Sequence, residues 1–199
     1  MNLANKLTIL RIILVPIMVI IPFFNIQGEV LGIPITYIII DIIFIIAAIT
    51  DKLDGYIARS RNQITAFGKF LDPIADKIVV IAAMVMLVEI EHLPAWIPII
   101  VIFREFVVSG YRLVAVQQNG NVIAASIWGK LKTATQMTAI IIAFIDPNPY
   151  GAVFGGNLVG YELVINSLVT IVMSASVVAT IFSGWEYVKG GKDLFKDSM

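Results

Sequence analysis

The chain contains no cysteine, which excludes disulfides and thiolate-bound metals. Charge is scarce too. Only 14% of its 199 residues are Asp, Glu, Lys or Arg, against about a quarter in soluble domains. Basic residues are missing from three connections, near residues 25–33, 89–93 and 146–160, which hold Glu29, Glu89, Glu91 and Asp146 instead. The single histidine, His92, follows two of those glutamates, Glu89 and Glu91, in the same loop and is expected to be solvated. The net charge of zero says nothing about partners; no nucleic-acid partner is expected. No repeat or low-complexity tract divides the sequence, so residues 1–199 form one domain.

Apolar residues fill the rest. They make up 59% of the chain, and the mean hydropathy is +0.92. A hydrocarbon core about 30 Å thick needs roughly 20 apolar residues per helix. The runs supply six such spans, at 8–24, 34–58, 66–88, 94–116, 127–145 and 161–187. They are continuous and lack the alternation of lipid-facing strands. The fold class is therefore an all-α integral membrane protein with six transmembrane helices. The first run is followed by PFFNIQGEV, without a small-residue cleavage site, and reads as a retained span.

All fourteen Lys and Arg lie at one set of helix ends: Lys6 and Arg11, Lys52 to Lys77, Arg104 to Lys132, and Lys189 to Lys196. Basic loops stay inside, so both termini and the loops at 59–66 and 117–126 face the cytoplasm. The tail KGGKDLFKDSM can lie on the anionic leaflet through its lysines.

At that same face, the stretch TDKLDGYIARSRNQITAFGKFLDPIADK places Asp51, Asp54, Asp72 and Asp76 between two apolar runs. At about 100° per residue, Asp51, Asp54, Gly55 and Ala58 share one arc of helix two. Asp72 and Asp76, four apart, share a face of helix three with Gly68 one turn earlier. A short loop makes the two helices antiparallel neighbours, so their acidic faces are expected to converge. Four carboxylates without cations would repel one another and resist desolvation. Hard divalent ions remove that conflict, since Mg²⁺ prefers oxygen ligands and substrate phosphates, and two ions about 4 Å apart suit displacement at phosphorus. Gly55, Ala58 and Gly68 leave room for a diphosphate beside the backbone. Asp41, the one acid well inside an outer half, is expected to make an interhelix hydrogen bond.

The stretch reads D-x-x-D-G-x-x-A-R-x8-G-x3-D-x3-D through Asp51, Asp54, Gly55, Ala58, Arg59, Gly68, Asp72 and Asp76. This resembles the signature of the CDP-alcohol phosphatidyltransferases, with all eight fixed positions filled. The resemblance runs from NKLTILR to GWEYVKGGKDLF, nearly the whole chain. It implies an enzyme that transfers a phosphatidyl group from CDP-diacylglycerol to an alcohol and releases CMP. It also implies that Asp51, Asp54, Asp72 and Asp76 bind two Mg²⁺ or Mn²⁺ ions, with Asp76 also acting as general base. Gly55, Ala58, Arg59 and Gly68 would line the CDP site, joined by Asn5, Thr8 and Arg11 from the first helix. Family members are commonly homodimers, which makes a homodimer in membrane lipid the expected state.

The acceptor is read from a second polar set. FREFVVSGYR places Arg104 and Glu105 roughly ten residues inside the fourth run, where an ionic pair is a functional signal by default. Arg112 lies about 80° from Arg104 around the helix, and GKLKTATQ adds Lys130 and Lys132. Four cations beside the acidic site point to an anionic acceptor, most simply a phosphate. Both stretches also resemble the bacterial branch of the family that uses glycerol-3-phosphate and makes phosphatidylglycerophosphate. Inositol phosphate is the alternative acceptor. A small cation carrier is the alternative from another class, opposed by the gathering of the acids at one face.

Overall fold

Asn2 begins the first helix, its side chain accepting the Asn5 N–H at 3.0 Å. This Asn is the N-cap of α1 (Leu3–Ile20), which starts five residues earlier than the apolar run suggests, because the cap and not hydropathy sets its origin. The structure, a computed structural model, describes residues 2–60, 66–117 and 127–190. Side chains are described at all of these positions except 4, 56, 58–60, 66, 67, 69, 116, 117 and 190. The tail from 191 to 199 and the centres of the two basic loops lie outside the described residues.

Five further long helices follow: α2 (Ile35–Ser60), α3 (Ala66–Glu89), α4 (Trp96–Gln117), α5 (Ile127–Ile145) and α6 (Gly160–Gly190). Each of the six spans read from hydropathy corresponds to one of them, and the fold is all-α. The exception is a two-residue hairpin between α1 and α2, β1 (Glu29–Val30) with β2 (Ile33–Pro34). Its turn residues Leu31 and Gly32 have φ of 54° and 77°, the doubly positive pattern of the tight I′ turn.

Two stretches, Asn5–Phe24 and Gly160–Lys189, are long and apolar enough on their own to cross a bilayer. The other helices are interrupted by the charged residues of the site described below. Ile99, Phe103, Phe106, Val164 and Ile171 all point outward and are well exposed. Apolar surface on that scale suits lipid and not water. The chain is a membrane-embedded helical bundle.

The largest fully buried apolar side chains include Phe44, Met84, Leu87, Ile97, Ile140, Phe144 and Met173. They come from the first halves of α2, α4 and α6 and the second halves of α3 and α5, so the bundle is packed solid at the end away from the aspartates. That end is closed by Asp146, which is 1% exposed. Its Oδ1 accepts the Asn148 N–H at 3.0 Å and its Oδ2 accepts from Asn166 Nδ2 at 2.7 Å. Asn166 also donates to the Pro149 carbonyl at 2.9 Å and accepts the Val153 N–H at 2.8 Å. Burial pushes the Asp146 carboxyl above its ordinary range, against the opposing effect of these hydrogen bonds. Asp146→Ala would strand buried donors on Asn148 and Asn166, at a cost of about 2–4 kcal/mol. Thermal unfolding of the purified protein in detergent checks this, and an unchanged midpoint would contradict the lock.

Two expectations are corrected at this end. His92 is half-buried, not solvated: Nδ1 donates to the Ala143 carbonyl at 3.3 Å and the ring meets Tyr37 edge-on at 5.6 Å. The turn after α3 folds over the end of α5, and that long-range contact sequestered it. Asp41, 5% exposed, does not make the expected interhelix hydrogen bond; its Oδ1 has no hydrogen-bond partner among the described residues. Of the residues three or four positions away, Ile38, Phe44 and Ile45 carry no donor, and Tyr37 packs its ring on His92.

Candidate active site

Asn5, Thr8 and Arg11 are three apart, so they fall along one side of α1, and that side is buried: they are 8%, 1% and 1% exposed. Arg11 places Nη1 at 2.8 Å from Asp51 Oδ1, and its Nη2 pairs with Asp54 Oδ2. The Thr8 hydroxyl donates to Asp72 Oδ1 at 2.7 Å and lies 3.4 Å from Asp54 Oδ2. The acids of α2 and α3 therefore do meet, but through α1. Side chains of α1 stand between the two acidic faces, because α2 and α3 both pack chiefly on α1 and touch each other little. A guanidinium bridging two carboxylates offsets the repulsion that would otherwise hold them apart.

Toward the centre of the bundle, the helices enclose a cavity of about 890 Å³. Asp51 and Asp76 lie on its wall, and so do Arg104, Arg112, Lys130 and Lys132. Two of the four aspartates thus share one chamber with the cations, although these residues come from α2, α3, α4 and α5; Asp54 and Asp72 lie instead against Arg11 and Thr8. Deeper in the bundle its lining becomes apolar, with Ile45, Val80, Val101, Met137 and Ile141. Charged and apolar walls in one chamber suit a ligand with a polar head and a lipid tail.

Glu105 organises the cations. Its Oε1 accepts from Arg104 Nη1 at 2.9 Å and from Lys132 Nζ at 2.6 Å, and its Oε2 lies 3.8 Å from Lys77 Nζ. One half-buried acid thereby holds three basic groups from three helices in register. Lys77 also bonds the Ser109 hydroxyl. Arg104 Nη2 reaches Ser183 Oγ at 2.5 Å, and Arg112 Nη2 reaches the Tyr187 hydroxyl at 2.7 Å. Sequence reasoning missed Lys77, Ser183 and Tyr187, and it assigned Glu105 only to Arg104. The signal available for α6 was a Ser and a Tyr one turn apart near the helix end, beside Glu186 and Lys189. Gly184 lets that helix approach, since a Cβ there would lie 3.3 Å from Arg104 Cγ.

Of the remaining residues read as nucleotide-binding, Gly55 is half-buried on α2 beside the acid cluster, and Gly68 is buried on α3. The side chains of Ala58 and Arg59 lie outside the described residues. Among the described residues no three acidic or imidazole groups surround a common point, because Arg11 and Thr8 stand between the acids. The donor set itself fits a hard divalent ion: carboxylates only, from two helices, with neither sulfur nor imidazole.

The sequence profile described as CDP-alcohol phosphatidyltransferase matches residues 1–182. A Bacillus subtilis protein named CDP-diacylglycerol–glycerol-3-phosphate 3-phosphatidyltransferase is 41% identical over 204 residues, covering 99% of this chain and 98% of its own length. Proteins of the same name from Haemophilus influenzae and Rickettsia bellii are 37% and 34% identical. They cover 100% and 98% of this chain, and 97% of their own length in each case. With a profile match over most of the sequence and full-length relatives at these identities, the chain belongs to the CDP-alcohol phosphatidyltransferase family.

Proposed function

We propose that this chain transfers the phosphatidyl group of CDP-diacylglycerol to glycerol-3-phosphate, giving phosphatidylglycerophosphate and CMP. The observation that carries this reading is the single cavity onto which Asp51 and Asp76 open together with Arg104, Arg112, Lys130 and Lys132. A phosphoryl-transfer centre and an anion pocket then lie within reach of one small acceptor. The full-length relatives bear the name of that reaction.

In this reading the carboxylates of Asp51, Asp54, Asp72 and Asp76 hold two Mg²⁺ or Mn²⁺ ions. When bound, such ions would neutralise the diphosphate and the charge that develops on the CMP leaving group. Asp76 accepts the proton of the acceptor hydroxyl as its oxygen attacks the phosphorus that carries the diacylglycerol. The bond from that phosphorus to the CMP oxygen breaks, and CMP leaves with the electron pair. Gly55, Ala58, Arg59 and Gly68, with Asn5 and Thr8, accommodate the nucleotide. Arg112, Lys130 and Lys132, with Arg104 close by, hold the acceptor phosphate by charge-assisted hydrogen bonds. The apolar depth of the cavity suits the lipid part of the substrate.

The test is an acceptor panel with purified protein and CDP-diacylglycerol, reading CMP. Glycerol-3-phosphate is expected to be preferred. A preference for serine, free inositol or glycerol would refute the phosphate pocket, whereas inositol phosphate would keep the pocket and change the product.

The same reading makes the chain a six-span, multi-pass protein of the bacterial cytoplasmic membrane, with both termini and the site facing the cytoplasm, working as a homodimer. The topology and orientation rest on the one-sided distribution of Lys and Arg and a cavity that opens among those same helix ends; the homodimer rests on the family resemblance alone. With no native cysteine, single substitutions read the topology cleanly. Lys6→Cys should react with an impermeant thiol reagent only after the cells are permeabilised, and Asn157→Cys should react from outside. The opposite pattern would reverse the orientation.

A further inference from the structure

Helix α6 has 31 residues, about 46 Å at 1.5 Å per residue, so its last turns reach beyond a hydrocarbon core of about 30 Å. Those turns run alongside the charged end of α4. Tyr187 is 2% exposed, lines the cavity and accepts from Arg112 Nη2 at 2.7 Å. Its ring centroid is 5.8 Å from Arg104 Cζ and 5.4 Å from Arg112 Cζ, within cation–π range of both. Ser183, one turn earlier and fully buried, accepts from Arg104 Nη2 at 2.5 Å. Two like-charged guanidiniums on α4 thus share one aromatic ring on α6, and each has its own hydroxyl there.

An arginine side chain left free would lose much rotamer freedom on meeting a phosphate. One already fixed by a ring and a hydroxyl has met that loss during folding and binds from a preorganised position. Arg104 is fixed from the other side as well, by Glu105. We infer that Tyr187, assisted by Ser183, is a positioning residue of the acceptor site. It sets the two guanidiniums so that the acceptor phosphate meets them in place, and α6 thereby contributes to acceptor recognition through residues outside the family signature. This inference rests on the phosphate-pocket reading above.

The experiment is steady-state kinetics of the purified full chain, varying glycerol-3-phosphate at saturating CDP-diacylglycerol and then the reverse, for wild type, Tyr187→Phe, Tyr187→Leu and Arg112→Ala. Tyr187→Phe keeps the ring and removes one hydroxyl to a charged partner, so the KM for glycerol-3-phosphate should rise about three- to tenfold. Tyr187→Leu removes the ring also and should raise it about ten- to a hundredfold. In both variants kcat and the KM for CDP-diacylglycerol should stay near wild type. A purely structural tyrosine would lower the active fraction, and so kcat, without moving that KM. If Arg112→Ala raises the acceptor KM and neither Tyr187 variant does, the inference is overturned and the pocket stands. If Arg112→Ala leaves the KM unchanged, Arg112 takes no part in acceptor binding and the inference falls, and an unchanged KM in Lys132→Ala as well removes the pocket. Should Tyr187→Leu fail to fold, Tyr187→Phe decides alone.

Discussion

Asp76→Asn should lower CMP release from CDP-diacylglycerol by about 10³-fold or more, since it removes a general base and a metal-ligand charge together. Asp51→Asn and Asp72→Asn should each cost orders of magnitude, because an amide keeps one acceptor oxygen and loses the charge that holds a cation. The structure sharpens the contrast between them. Asp51 shares Arg11 with Asp54, so Asp51→Asn also weakens the anchor of α1. Asp72 is tied to α1 through a neutral hydroxyl, so its loss should act on the site alone. Asp41→Asn should be mild, because Asp41 belongs to none of these contacts. Excess chelator should abolish turnover, and either Mg²⁺ or Mn²⁺ should restore it. Full activity in chelator would remove the two-ion reading, and wild-type activity in Asp76→Asn would remove the base.

Arg112→Ala and Lys132→Ala should mainly raise the KM for glycerol-3-phosphate, by about ten- to a hundredfold, with CDP-diacylglycerol binding nearly intact. A phosphate leaving water needs charge-assisted donors, and each lost donor weakens it by that order. The two variants are expected to differ in a second respect. Arg112 gives up a contact to a neutral tyrosine. Lys132→Ala instead removes the shortest bond to Glu105 and leaves that half-buried acid to Arg104 and Lys77, which should also lower stability. A thermal unfolding midpoint reduced in Lys132→Ala but not in Arg112→Ala would support this division of roles. Arg104→Lys probes the geometry of the network, since a lysine cannot reproduce the two-nitrogen reach to Glu105 and Ser183. An unchanged acceptor KM in both Arg112→Ala and Lys132→Ala would place the acceptor elsewhere.

Helix extents were legible because they depend on local properties. The apolar runs at 34–58, 66–88 and 127–145 correspond to helices at Ile35–Ser60, Ala66–Glu89 and Ile127–Ile145. The grouping of the aspartates was legible for the same reason, since helical spacing alone decides which residues share a face. What periodicity could not convey is which helix each face meets. Only the packed bundle put Thr8 and Arg11 between the acids of α2 and α3, contacts that span 40 to 64 residues of chain. Only the packed bundle brought Ser183 and Tyr187 to arginines 79 and 75 residues earlier, and gathered three cations on Glu105. Such pairings depend on how helices cross and how close their backbones come, as at Gly184, where α6 lies against Arg104. The sequence by itself determined the helices, the chemistry of their charged ends and the reaction class; the tertiary structure alone decided which side chains hold those charges in place, because partners distant in the chain are chosen by packing and not by spacing.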